Sequence, residues 1–254
     1  MSAAVVRIDD ARRKVNGEVV NYRRSVKKTL AGDIKQTPNN SVKGKAKEVY
    51  PLKKKEDIEA IKLYYRNRID NAKNEEDKQI AGRDLLGFVL GINVGLRASD
   101  LLKLCWNEVF YKDMTFVDGI KIQEKKTEKY KTFFLNQSAQ NAITEYINEF
   151  HIRVNFNKPN DYIFKSRQGN NHIDVDTLCI SLKKAALECG IKQNIGSHSL
   201  RKSYGFHQLM AHKGDVMFLT HLQGLFHHSS QLATLRYCGL ENDQTKLYYN
   251  DVNL

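Results

Sequence analysis

The sequence predicts a mainly helical α+β fold that carries one small antiparallel sheet. Apolar residues recur at helical spacing through most of residues 54–223. One stretch, residues 110–135, switches to alternation rich in aromatic and β-branched side chains. No internal repeat is present. At 254 residues the chain suits one main domain plus an appendage, and its 41% hydrophobic content is enough for a packed core.

Taken in order, the polar segment from Asp9 to Leu30 reads as a weak helix, with Val15, Val19 and Val26 loosely spaced. Thr37-Pro38-Asn39-Asn40-Ser41 and Lys43-Gly44-Lys45 make a turn-rich, charged linker. Folded structure is expected from Val49-Tyr50-Pro51, where proline ends an extended stretch. This divides the chain into a basic arm and linker (1–48), a main domain (49–240) and a tail (241–254). Residues 54–72 place Ile58, Ile61, Leu63, Tyr64 and Ile69 at helical spacing. A second helix is expected from about Glu76 to Val94, stopped by Gly95 as a left-handed cap. Arg97 then lies on a turn, with Ser99 and Asp100 expected to cap the helix bearing Leu101, Leu102 and Leu104.

Strands are expected at Met114–Val117, Ile120–Ile122 and Thr132–Leu135, with Asp118-Gly119 as a tight turn between the first two. Further helices are expected at 138–151, 174–189, 198–212 and 215–223, with Gly190 and Gly214 where helix ends need them. A last short helix ends at Tyr237.

Charge narrows the partner. The chain carries net +12, and residues 1–55 hold 15 Lys/Arg against 5 Asp/Glu, leaving 26 and 24 for the rest. Such an arm suits a polyanion, because each neutralised phosphate releases counterions. Four cysteines (Cys105, Cys179, Cys189, Cys238) lack CxxC spacing. They read as reduced, core-type residues in a cytoplasmic protein rather than a disulfide framework or a zinc site. No apolar run suits a transmembrane helix, and the start lacks a signal-peptide layout.

Four local frames carry chemistry. The first is Gly95-Leu96-Arg97-Ala98-Ser99-Asp100-Leu101-Leu102, extending through Trp106. The second is His198-Ser199-Leu200-Arg201-Lys202-Ser203, whose histidine and arginine share one helix face at a spacing of three. Arginine offers a planar fork matched to two phosphate oxygens, and a histidine beside it can pass a proton near neutral pH. The third runs from His228-Ser229-Ser230 to Thr234-Leu235-Arg236-Tyr237, with the tyrosine nine residues after the histidine. The fourth is the charged stretch Lys125-Lys126-Thr127-Glu128-Lys129 between two expected strands.

Taken in chain order, with the lysine frame second, the frames resemble those of the tyrosine site-specific recombinases, the phage integrase family, and the likeness spans residues 91–240. It implies that Arg97, Arg201, His198 and His228 surround one DNA backbone phosphate and that Tyr237 attacks it. It also implies that a hairpin lysine protonates the leaving oxygen. Lys126-Thr127 best matches the family's Lys-Thr pair, with Lys125 and Lys129 adjacent. The family usually has Gly or Asn before the third-frame histidine, where this chain has His227. His228 takes the role by its interval to Tyr237 and by the Ser-Ser that follows, and His227 is the competitor.

The implied partner is double-stranded DNA, with self-association on it from dimer to tetramer and the tail docking on a neighbour. Neither membrane nor nucleotide cofactor is implied. The sequence contains no Walker motif, no acidic metal cluster and no Cys/His ligand spacing, in agreement with metal-independent transesterification. Two other readings share parts of the constellation: a type IB topoisomerase-like nicking-closing enzyme, and a non-catalytic DNA-binding protein with this fold.

Overall fold

A computed structural model describes residues 48–123, 130–167 and 169–241. The basic arm before Glu48, the weak helix expected within it, the hairpin tip with Lys125, Lys126 and Lys129, and the tail beyond Glu241 lie outside the described residues.

Helix α1, Lys55–Asp70, buries Ile58, Ile61, Tyr65 and Ile69, spaced so that one stripe faces inward. Helix α2, Glu75–Val94, starts at Asn74, whose side-chain oxygen accepts from the Asp77 amide at 2.8 Å. Glu75, Glu76 and Asp77 add negative charge at its positive end. The helix stops at Gly95, φ 73°, and a Cβ there would sit 2.5 Å from the Tyr204 ring. Backbone and neighbour both demand glycine.

The short helix α3, Ala98–Leu101, departs from expectation. Its cap residue is Arg97 itself, and no side chain caps it. Ser99 and Asp100 lie inside the first turn, and the Arg97 carbonyl accepts from the Asp100 and Leu101 amides, each at 2.9 Å. Backbone groups thus fill the role that was expected of the two side chains. Helix α4, Trp106–Val109, follows and buries Trp106.

The sheet has two strands, β1 (Ile120–Gln123) and β2 (Tyr130–Phe133), paired antiparallel with Ile120 opposite Phe133 and Gln123 opposite Tyr130. Ile120 and Phe133 point together into the core. The strand expected at 114–117 is reduced to a single bridge between Phe110 and Phe116. The Asp113 carboxylate accepts from the Thr115 amide (2.9 Å) and hydroxyl (2.6 Å), and Met114 takes φ 66°. This local turn outcompetes the strand. Asp118-Gly119 consequently leads into β1 rather than turning a hairpin.

Helices α5 (Gln137–Glu149), α6 (Val175–Glu188), α7 (Ser197–Ala211), α8 (Val216–Phe226) and α9 (Gln231–Tyr237) complete the order. Asn136, Asp174, Asp215 and Ser230 cap α5, α6, α8 and α9 with their side chains. Helix α8 runs three residues past its expected end, up to Phe226.

The described apolar residues form two cores. The larger, with 33 buried residues, is organised by α2, which packs on α1, α5 and α7. The smaller consists of Leu209, Leu222, Phe226, Cys238 and Leu240, where α7, α8 and α9 meet. All four cysteines are free, and Cys105 and Cys238 are buried. Among the described residues no helix is long and apolar enough to cross a membrane.

Candidate active site

Arg201 joins three distant segments. It projects from the second turn of α7 and is 4% exposed. Its guanidinium donates to the Gly95 carbonyl, two residues before Arg97, and at 3.2 Å to the Leu225 carbonyl near the end of α8. It also lies 4.3 Å over the Phe226 ring, a cation–π contact. Burial pulls its pKa down to about 10, still well above neutrality, so the side chain stays charged. A guanidinium has five donor hydrogens, so two carbonyls leave some for a ligand.

Arg97 stands in the opposite setting. Its side chain is 48% exposed and its nearest acid, Asp100, is 3.9 Å away. The turn between α2 and α3 holds its backbone while the guanidinium remains open to solvent.

His198 and Tyr237 meet across α7 and α9. The Tyr237 hydroxyl lies 3.5 Å from His198 Nδ1. Burial pushes the Tyr237 pKa above its usual 10, with Arg201 and Arg97 pulling the other way. Burial also pulls the His198 pKa below 6.5, and Lys202, Arg201 and Arg97 add to that effect. A neutral imidazole therefore faces a protonated phenol at neutral pH.

His228 sits against the same tyrosine, with ring centroids 4.9 Å apart. Thr234, fully buried, holds its Nδ1 at 3.1 Å and leaves Nε2 for a ligand. Its pKa is lowered by burial first, then by Arg201, Arg97 and His227. His227 is the left-handed cap of α8, φ 60°, and is exposed. That conformation explains why Gly or Asn would suit position 227, since both tolerate positive φ better than most residues, with histidine also enriched there.

The structure thus brings together Arg97, His198, Arg201, His228 and Tyr237 from positions spread over more than half the chain. Lys126 lies outside the described residues. The same cluster includes residues that the frames alone did not single out. Lys131 on β2 donates to the carbonyls of Gly224 (2.5 Å) and Leu225 (3.4 Å), fastening the hairpin to the end of α8. Lys202 lies 5.3 Å over the Tyr237 ring, and Tyr204 and Phe226 pack beside it. Lys202 and Thr234 stood inside quoted frames, but nothing local distinguished them from surface residues.

Comparisons with known proteins bear on the family and the fold. Residues 64–243 match the model of the family described as the phage integrase family. The chain is similar to the probable integrase/recombinase YoeC of Bacillus subtilis (strain 168), 32% identical over 201 residues, 79% of this chain and 95% of that protein. Its fold resembles XerA recombinase, with a TM-score of 0.55 at 17% identity, covering 82% of this chain and 66% of that one. It also resembles a XerH site-specific recombinase in a post-cleavage complex with palindromic difH substrate, with a TM-score of 0.56 at 17% identity over 80% of this chain. The chain spans about half, 53%, of that second structure's length.

Proposed function

The chain belongs to the phage integrase family of tyrosine recombinases, enzymes that cleave and rejoin DNA, and from that premise we propose that its reaction runs through a 3′-phosphotyrosyl intermediate on Tyr237. The observation that supports Tyr237 over the chain's other tyrosines is its hydroxyl, 3.5 Å from His198 Nδ1 and beside Arg201.

Arg97 and Arg201 bind the non-bridging oxygens of one backbone phosphate, and His228 contributes through Nε2. Together they stabilise the charge that builds on the pentacoordinate phosphorus. Tyr237 Oη attacks phosphorus as its proton passes to His198, and the bond from phosphorus to the 5′ oxygen breaks. Lys126 protonates that oxygen, giving a free 5′-hydroxyl. Attack by the 5′-hydroxyl of a partner strand reverses each step, so the phosphodiester energy is conserved and no nucleotide is consumed.

The partner is double-stranded DNA, held in part by the basic arm. Exchange between two duplexes requires more than one protomer, so self-association on DNA belongs to the same proposal, with residues beyond Glu241 docking on a neighbour. The test is incubation with a pool of random nicked duplexes, then a denaturing gel and mapping of the linked peptide. A DNA adduct on the peptide containing Tyr237 is expected with excess chelator present. Chelator-sensitive cleavage restored by magnesium would reject the phosphotyrosine route.

A further inference from the structure

Between the end of the basic arm and α1 lies a strap, residues 48–53, that crosses α7. Four of the strap's six carbonyls and two of its five amides are engaged with residues far along the chain. Asn194 donates to the Glu48 carbonyl at 2.7 Å, and the Tyr50 amide donates to the Asn194 carbonyl at 3.0 Å. The Leu52 amide donates to Ser203 Oγ at 2.7 Å, and His207 Nε2 meets the Leu52 carbonyl at 2.9 Å. Leu52 itself is fully buried. These bonds make the strap a fixed part of the fold.

Two lysines connect this strap to the segment carrying Tyr237. Lys202 donates to the Val49 carbonyl at 2.8 Å, and its ammonium lies 5.3 Å over the Tyr237 ring. Its side chain is only 12% exposed. Lys53 donates to the Gly239 carbonyl at 2.7 Å, two residues beyond Tyr237. Gly239 has φ 73°, and a Cβ there would lie 3.2 Å from Pro51 and 3.3 Å from Lys53. The strap and the turn after α9 therefore fit closely, and only glycine suits that turn.

Resting on the assignment of Tyr237 as nucleophile, we propose that the strap is a positioning device for it: Lys202 and Lys53 are positioning residues that aim the tyrosine at the scissile phosphate. Lys202 acts on the ring face. An ammonium held by a backbone carbonyl and largely withdrawn from water attracts the ring strongly enough to fix its orientation. Lys53 acts on the backbone, holding the turn that sets where α9 ends. An attack needs the oxygen aligned with the bond that breaks, so a small rotation of the ring costs rate without weakening DNA binding.

The test compares Lys202→Met, Lys202→Arg and Lys53→Met with the wild-type chain on a nicked duplex that the wild type traps from a random pool. Methionine keeps the length of the stem and removes the charge. Adduct formation at saturating DNA should slow by roughly tenfold for Lys202→Met, the rate equivalent of one partly desolvated cation–π contact. Lys53→Met should slow it less, and Lys202→Arg should restore most of the rate. DNA affinity and its salt dependence, measured in a Tyr237→Phe background, should not change. Wild-type rates in both methionine variants would overturn the positioning role and leave Tyr237 as nucleophile. A flattened salt slope in Lys202→Met would make Lys202 a phosphate contact and overturn it as well. An adduct that persists in Tyr237→Phe would instead overturn the nucleophile assignment, and the positioning role with it.

Discussion

The two apolar cores differ in size, and the candidate active site is divided between them. The larger core surrounds α2 and fixes the turn that bears Arg97, through Val94, Leu96 and Leu101. The smaller has five buried residues and holds α8 and α9; His228 lies in the turn between them and Tyr237 ends α9. Helix α7 belongs to both, with Leu200 in the larger and Leu209 in the smaller. The turn bearing Arg97 is thus anchored in the bulk of the protein, Arg201 is shared between the cores through the Gly95 carbonyl and the Phe226 ring, and the proposed nucleophile rests on the small cluster. Few buried contacts mean a lower free energy of local opening. Under the proposed roles, DNA binding should tolerate damage to the small cluster that adduct formation does not.

The largest separation of these properties should come from Tyr237→Phe. The variant should bind DNA as the wild type does and form no covalent adduct, because a single oxygen is removed from the smaller cluster. Retained affinity beside absent adduct, read by gel shift and denaturing gel, is the expected pair. A covalent adduct at Tyr248 or Tyr249 would move the nucleophile out of that cluster.

Next come the arginines. Arg97→Lys and Arg201→Lys should each slow adduct formation by about a hundredfold or more, the usual cost of removing one transition-state donor. They should differ in stability. Arg97 is open to solvent, and its replacement should leave the melting midpoint unchanged. Arg201→Lys weakens the bonds to the Gly95 and Leu225 carbonyls and should also destabilise, by about 1–3 kcal/mol. Equal midpoints for the two variants would contradict the role of Arg201 as the tie between segments.

The cores can be compared directly by Leu86→Ala and Leu222→Ala, at positions 2% and 0% exposed. Each truncation should cost about 2–5 kcal/mol where it acts. Leu86→Ala should lower the global midpoint. Leu222→Ala should mainly speed hydrogen exchange in α8 and α9 and slow adduct formation, leaving α2 protected. A uniform loss of protection in both variants would show that the two cores unfold as one.

A milder probe is pH. His198 and His228 titrate below 6.5 in the folded state, so cleavage should hold level from pH 8 to 7 and decline only below 6.5. The unfolded chain takes up protons at these residues first, so stability should also decline as pH falls through 6.5. A rate that halves between pH 8 and 7 would mean a different proton acceptor.

The smallest effect on chemistry is expected from deleting residues 1–47, since the described cores begin at Leu52. The adduct rate at saturating DNA should persist. Affinity should fall, and the slope of log affinity against log salt should flatten by roughly 0.9 for each phosphate the arm had neutralised. An unchanged slope would reduce the arm to a solubility tail.

How much of this was legible in the sequence depends on the range of the interactions. Helices α1, α2 and α5–α9 were readable because apolar spacing and glycine stops such as Gly95 and Gly190 act within a few residues. The Arg97, His198–Arg201 and His228–Tyr237 frames were readable because their side chains keep fixed intervals. The strand at 114–117 misled because its alternation was real, yet Asp113 captured Thr115 two residues away. The capping by Ser99 and Asp100 misled because the Arg97 carbonyl already satisfied the amides they would have served. Lys131 and Lys202 were unreadable as site residues. Their partners lie 93 and 153 residues away, and nothing in their own neighbourhood marks them.

Arg201 also bears on the moment at which the protein becomes able to cut. Its carbonyl partners are 106 residues before it and 24 after it, so the clamp has no backbone frame until residue 225 has left the ribosome. The tyrosine follows twelve residues later. A chain that stops before that point therefore holds Arg97 and Arg201 but neither the framed guanidinium nor the proposed nucleophile. For an enzyme that opens DNA without an external energy source, completion of the fold acts as the safety catch.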